Sequence, residues 1–211
     1  MTPRSIYSSA WASSLRIRDF RLFWASTFFY SVGTGMEHVA VGWLVFDITG
    51  SPFMVGVAAA ARMAPLFFLG ILSGAMADWL ERRLFLLFSA LGGVAVAAIM
   101  ATLLLSRDPP VWAVVVLVAA GGCVLAFTLT TRNAYTYDIV GPEHALNGLS
   151  LNQMAMQVGG IAGALASGAL IELVGPGWQY LGVAGSYLGS ALILLVIGRS
   201  ARSAEPTREP V

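Results

Sequence analysis

The sequence has no lysine; all 12 of its basic residues are arginine. It has one cysteine, Cys123, so an internal disulfide is impossible, and no CxxC or Cys/His cluster offers a metal site. Charge is scarce, at 11% of residues, less than half the share usual in a soluble domain. The net charge of +1 gives no reason to expect a nucleic-acid partner. No cleavable signal-peptide pattern opens the chain: the first apolar run is too long and lacks a small-residue cleavage site, so it is expected to remain as a membrane span. HExxH, GxSxG and a pair of aspartates within spans are missing, and Glu37-His38 is a lone dipeptide, which speaks against an intramembrane enzyme. No cofactor is expected.

What remains is apolar. Of the 211 residues 57% are hydrophobic, and the mean hydropathy is +0.77. A soluble protein of this size cannot hide so much apolar surface, so lipid must cover part of it. Six segments are long enough to cross a bilayer, at about 22–46, 52–77, 84–105, 111–131, 146–174 and 178–198. The expected fold is therefore an all-α membrane protein with a transmembrane domain of six helices over residues 22–198. Residues 1–21 precede it as a juxtamembrane segment, and the polar tail 199–211, with Pro206 and Pro210, is expected to be disordered. Asp47 to Ser51 and Gly175-Pro176-Gly177 read as tight hairpins, while a polar stretch from Arg132 to His144 separates the fourth and fifth spans.

Ten arginines fall on one side of this arrangement: Arg4, Arg16, Arg18, Arg21, Arg82, Arg83, Arg132, Arg199, Arg202 and Arg208. Only Arg107 falls on the other, and Arg62 lies within a span. The split predicts both termini in the cytoplasm.

Glu37 and Arg62 are the two charges most deeply placed. Glu37 lies nine residues before Phe46 and Arg62 ten after Pro52, the outer ends of the first two spans, which at ~1.5 Å per residue puts both roughly 14 Å below the outer boundary. A charge near mid-bilayer costs at least ~2.5–3.5 kcal/mol on insertion scales and needs a partner or a wet cavity. The hairpin makes the two helices neighbours, so an ion pair is predicted. It reads either as structural neutralisation or as a proton-coupling pair, in which Glu37 takes up and releases a proton and Arg62 tunes its affinity. Tyr30, Gln153, Gln157 and Tyr187 are candidates to line a cavity. Gly159, Gly163 and Ser167 recur every four residues, with Gly168 beside them. Small residues at that spacing allow close helix packing, or a helix that bends as the protein changes state.

The segment Gly74-Ala75-Met76-Ala77-Asp78-Trp79-Leu80-Glu81-Arg82-Arg83 resembles the loop signature of the major facilitator superfamily, roughly G-x-L-A-D-R-x-G-R-R. Gly74, Asp78, Arg82 and Arg83 match; Trp79 and Glu81 depart. The acid at the latter place, Arg18 to Trp24, Leu44 to Pro52, and Arg62 to Pro65 look similar to the branch of siderophore and macrolide exporters. The Gly159 to Gly168 stretch is similar to a glycine-rich signature of antiporters, with Gly160 where a proline would stand. The resemblance covers nearly the whole chain. It implies secondary active, proton-coupled export of a small amphiphilic molecule such as a drug or siderophore, by alternating access across a bacterial inner membrane. It also implies an inner gate at Gly74, Asp78, Arg82 and Arg83, for which Arg132 is the candidate partner. Members of the superfamily usually have two six-helix halves, and this chain matches the N-terminal one. The partners expected are thus lipid, a small-molecule substrate, and a second six-helix half or another copy of the chain. The alternative is a half-transporter that is inactive alone and serves only as a membrane partner subunit.

Overall fold

A computed structural model describes residues 14–77, 81–106 and 109–197. The segment before residue 14, the tail from residue 198, and Asp78 of the expected inner gate lie outside the described residues. Among the described residues the protein is all-helical. After a 3-10 turn at Ser14–Arg16 come α1 (Arg18–Thr49), α2 (Pro52–Ala77), α3 (Arg82–Leu105), α4 (Val111–Val174) and α5 (Pro176–Val196). The ends follow local chemistry. Gly50, with φ 62°, closes α1 by donating its N–H to Phe46 O at 2.7 Å, and Pro52 opens α2 where a helix has no use for the missing N–H.

α4 departs from the expected segmentation. It runs for 64 residues, through the polar stretch 132–140 that reads as a loop, and is interrupted only at Gly141 (φ 71°, ψ 173°), followed by Pro142. Side-chain contacts give the directions. The limb 111–140 sets Arg132 on Thr27 and Gly121 on Glu37, so it runs antiparallel to α1. The limb 142–174 sets Leu151 on Trp24, Met156 on Ser31 and Ser167 on Met36, so it runs parallel to α1. The chain therefore folds back at Gly141. α5 is antiparallel both to α1 (Ser190 on Ser26, Gln179 on Met36) and to α3 (Leu194 on Arg83, Gly177 on Leu105).

Among the described residues four helices are long and apolar enough to cross a membrane: α2 over Pro52–Leu69, α3, α4 and α5. α1 has the length, at 32 residues, but its polarity keeps it out of that group. The reason is its place in the bundle. It packs against α2, α4 and α5, and it buries Ser26, Thr27, Ser31 and Glu37 there. The polar groups of α1 thus meet protein, whereas Phe53, Phe67, Phe68, Phe88, Leu146 and Leu165 on the outer faces are exposed and need an apolar surrounding.

α1 and the second limb of α4 meet through small residues. A side chain on Gly163 would collide with the carbonyl of Val32, and one on Gly159 would lie 2.8 Å from Phe28 O. Gly168 does not belong to this seam: it is exposed and has open space around it. The four-residue register runs from Gly159 through Gly163 to Ser167, and Gly168 sits one residue, about 100°, off it.

Candidate functional site

Glu37 projects from the middle of α1 into the bundle and is 6% exposed. Arg62 reaches it from α2: Nη2 donates to Oε2 at 3.1 Å, and Nη1 stands 2.9 Å from Oε1 without the alignment of a hydrogen bond. The predicted pair is present. Tyr187 of α5 donates its hydroxyl to the same Oε2 at 2.7 Å. α4 makes room for the carboxylate with Gly121, where a Cβ would stand 2.8 Å from Oε1. Donors from two helices and a gap left by a third thus hold one carboxylate.

Tyr187 is fixed by its surroundings. A Cβ on Gly33 of α1 would lie 2.8 Å from its ring, and one on Gly93 of α3 would lie 3.0 Å from it. The ring also lies against Tyr30, with centroids 5.3 Å apart. The cavity beside the carboxylate is lined by Tyr30, Glu37, Arg62, Gly93, Gly121 and Tyr187, among others. It leaves about 10 Å³ for the centre of a water-sized sphere. That is space for a single water and far too little for an organic substrate. Of the four cavity-lining candidates, Tyr30 and Tyr187 line this site; Gln153 and Gln157 are exposed on the second limb of α4.

A second polar cluster lies around Arg132, which is 1% exposed. Its expected contact with Asp78 falls outside the described residues, and its side chain is buried. It turns into the bundle, donates to Thr27 Oγ1 at 2.8 Å and to Ser190 Oγ at 3.1 Å, and stacks over Tyr30 with Cζ 4.4 Å from the ring centre. Ser190 Oγ in turn lies 2.8 Å from Ser26 Oγ.

Of the loop signature, Gly74 lies near the end of α2. Arg82 and Arg83 open α3 and take two different partners. Arg82 Nη1 contacts both oxygens of Asp138, at 2.8 and 2.9 Å, and Ala134 O at 3.2 Å. Arg83 donates to the carbonyls of Leu194 and Leu195 at 2.9 Å each. Those carbonyls lie in the last turn of α5, which has no intrahelical donors left for them and carries the negative end of the helix dipole. Asp138 is the partner that sequence reasoning missed, and Tyr187, expected only to line a cavity, is also a donor to Glu37. Asp138 was hidden in the apparent loop, and its signal was an acid six residues beyond Arg132 on the same side as Arg82. The signal for Tyr187 was a mid-span tyrosine, with nothing in the sequence to aim it at Glu37.

The family model described as a transmembrane secretion effector, within the major facilitator superfamily, matches residues 8–211. The chain is 25% identical over 193 residues to the enterobactin exporter EntS of Salmonella typhimurium, covering 90% of this chain and 46% of that protein. It is 24% identical over 194 residues to the enterobactin exporter EntS of Shigella flexneri, covering 91% and 47%. The same protein of Citrobacter koseri is likewise 24% identical over 194 residues, covering 91% and 46%. The chain thus spans about half the length of the curated relatives it matches. No solved structure gives a significant match.

Proposed function

This chain belongs to the transmembrane secretion effector family, and from that premise we propose that it works in secondary active export of a small amphiphilic molecule, with Glu37 as the proton carrier. The family and the exporter relatives point to transport rather than catalysis. The observation that carries the proton role is the buried carboxylate itself, in contact with Arg62 and Tyr187 beside a one-water cavity. The carboxylate is enclosed by the helices, so in this reading it exchanges its proton when the bundle opens. Loss of the negative charge on Glu37 would remove the ion pair that joins α1 to α2.

The cavity is too small for cargo. We therefore place the substrate between this bundle and a second six-helix unit, either another copy or a second half, with access alternating by rocking. In this reading all six segments cross a bacterial inner membrane, with both termini inside, an orientation supported by the ten arginines on one side. Arg82, Arg83 and Asp138 then hold the inner ends of the helices.

The test uses inside-out vesicles carrying the protein, a fluorescent amphiphilic cation, and an imposed pH gradient. Accumulation that follows the gradient is expected, and Glu37→Gln is expected to abolish its pH dependence. Transport that stays pH-dependent and undiminished in Glu37→Gln overturns the proton role.

A further inference from the structure

We propose that Tyr187 and Thr34 form a hydroxyl switch that reverses the hydrogen bonding at Glu37 when the carboxylate takes up a proton; the inference rests on the reading of Glu37 as the proton carrier. Tyr187 donates to Glu37 Oε2 at 2.7 Å, and its oxygen lies 3.5 Å from Thr34 Oγ1. Thr34 spends its own hydrogen on Tyr30 O at 3.0 Å, one turn back along α1, and keeps its lone pairs free to accept. The phenolic hydrogen therefore has two acceptors within a rotation about one C–O bond. The ring cannot follow it, because Gly33 and Gly93 close on both its sides.

An ionised Glu37 only accepts hydrogen bonds, so every neighbour must donate. Arg62 always does. A protonated Glu37 acquires a donor, and Arg62 cannot receive it. Of the two side chains hydrogen-bonded to the carboxylate, Tyr187 is the one that can. The proton adds to Oε2, the new O–H donates to Tyr187 Oη, and the phenolic hydrogen rotates from Oε2 to Thr34 Oγ1. No heavy-atom bond forms or breaks, and loss of the proton runs the same steps backward. The other charged and titratable groups facing the carboxylate are Arg62 from α2, Tyr30 from α1, Tyr180 from α5 and, behind Tyr30, Arg132 from α4. α3 offers only Gly93 and Val96. None of these supplies the second acceptor that Thr34 does.

The switch predicts opposite signs for two conservative changes. Tyr187→Phe removes a donor to the charged form, and hydrogen bonds to charged groups are the stronger ones, so the protonation midpoint of Glu37 rises. Thr34→Val removes the acceptor needed only in the protonated form, so the midpoint falls. Each shift is about one pH unit, a tenfold change in proton affinity. In the Tyr187→Phe background, Thr34→Val has nothing left to act on and adds no shift. The experiment is an infrared titration of the protein in lipid bilayers, following the carboxylic C=O band that disappears in Glu37→Gln. Opposite shifts, with the double variant matching Tyr187→Phe, support the switch. Shifts of the same sign, no shift, or an additive double variant overturn it while leaving Glu37 as the carrier. A Glu37 band that never titrates while the protein stays folded overturns the carrier role and the switch together.

Discussion

Two arginine–carboxylate pairs among the described residues have nearly the same geometry and differ in surroundings. Arg62 and Glu37 are 4% and 8% exposed at the side chain, whereas Arg82 and Asp138 are 30% and 38% exposed. The distances are nearly the same, at 2.9 and 2.8 Å. The difference lies in what happens when one partner is removed. In the bundle interior the orphaned charge has no water to turn to; at the end of α3 it has. Loss of either partner of the first pair is therefore felt throughout the bundle interior. The second is a partly exposed contact whose loss costs little.

Substitutions can break or sharpen this contrast, and the thermal exposure of Cys123, the single thiol, reports stability for all of them. The largest effect is expected from Arg62→Ala, which leaves Glu37 buried and uncompensated at a cost of about 3–5 kcal/mol. Adding Glu37→Gln to it removes the stranded charge and is expected to recover most of that loss. Next comes Thr27→Val, which takes a hydrogen-bond acceptor from the buried guanidinium of Arg132 and should cost about 1–3 kcal/mol. The smallest is Arg82→Ala, expected to change stability by less than about 1 kcal/mol and by still less in high salt. A cost of several kcal/mol for Arg82→Ala would erase the distinction between the two pairs.

The buried pair was legible in the sequence because a short hairpin fixes depth. Counting residues outward from Asp47–Ser51 put Glu37 and Arg62 at one level on adjacent helices, and they meet there. Distance along the chain decided what was not legible. Tyr187 lies 150 residues from Glu37, and its aim depends on Gly33 and Gly93, two glycines among 23. Arg132 read as an inner-surface residue because it follows three threonines within four positions and precedes polar residues. α4 in fact continues past it, and the helical phase turns its side chain inward. Gln153 and Gln157 share one limb with Gly159 and Gly163 but not one face, and polarity alone does not say which face meets protein. The segmentation into helices was legible except from Arg132 to His144, where polar composition suggested a loop and helix runs on both sides of Gly141. Gly141-Pro142 was the better signal: a residue free to take positive φ, followed by one without an N–H to continue the ladder.

That single-residue break has a practical consequence. A protease needs a stretch of chain that it can pull straight, and a tag or antibody epitope inserted into a protein needs a linker that can splay. The polar sequence between Arg132 and His144 advertises both. With helix up to Val140 and again from Pro142, it offers little of either, so the connection between the two limbs of α4 is expected to resist cutting and insertion, which limited proteolysis checks.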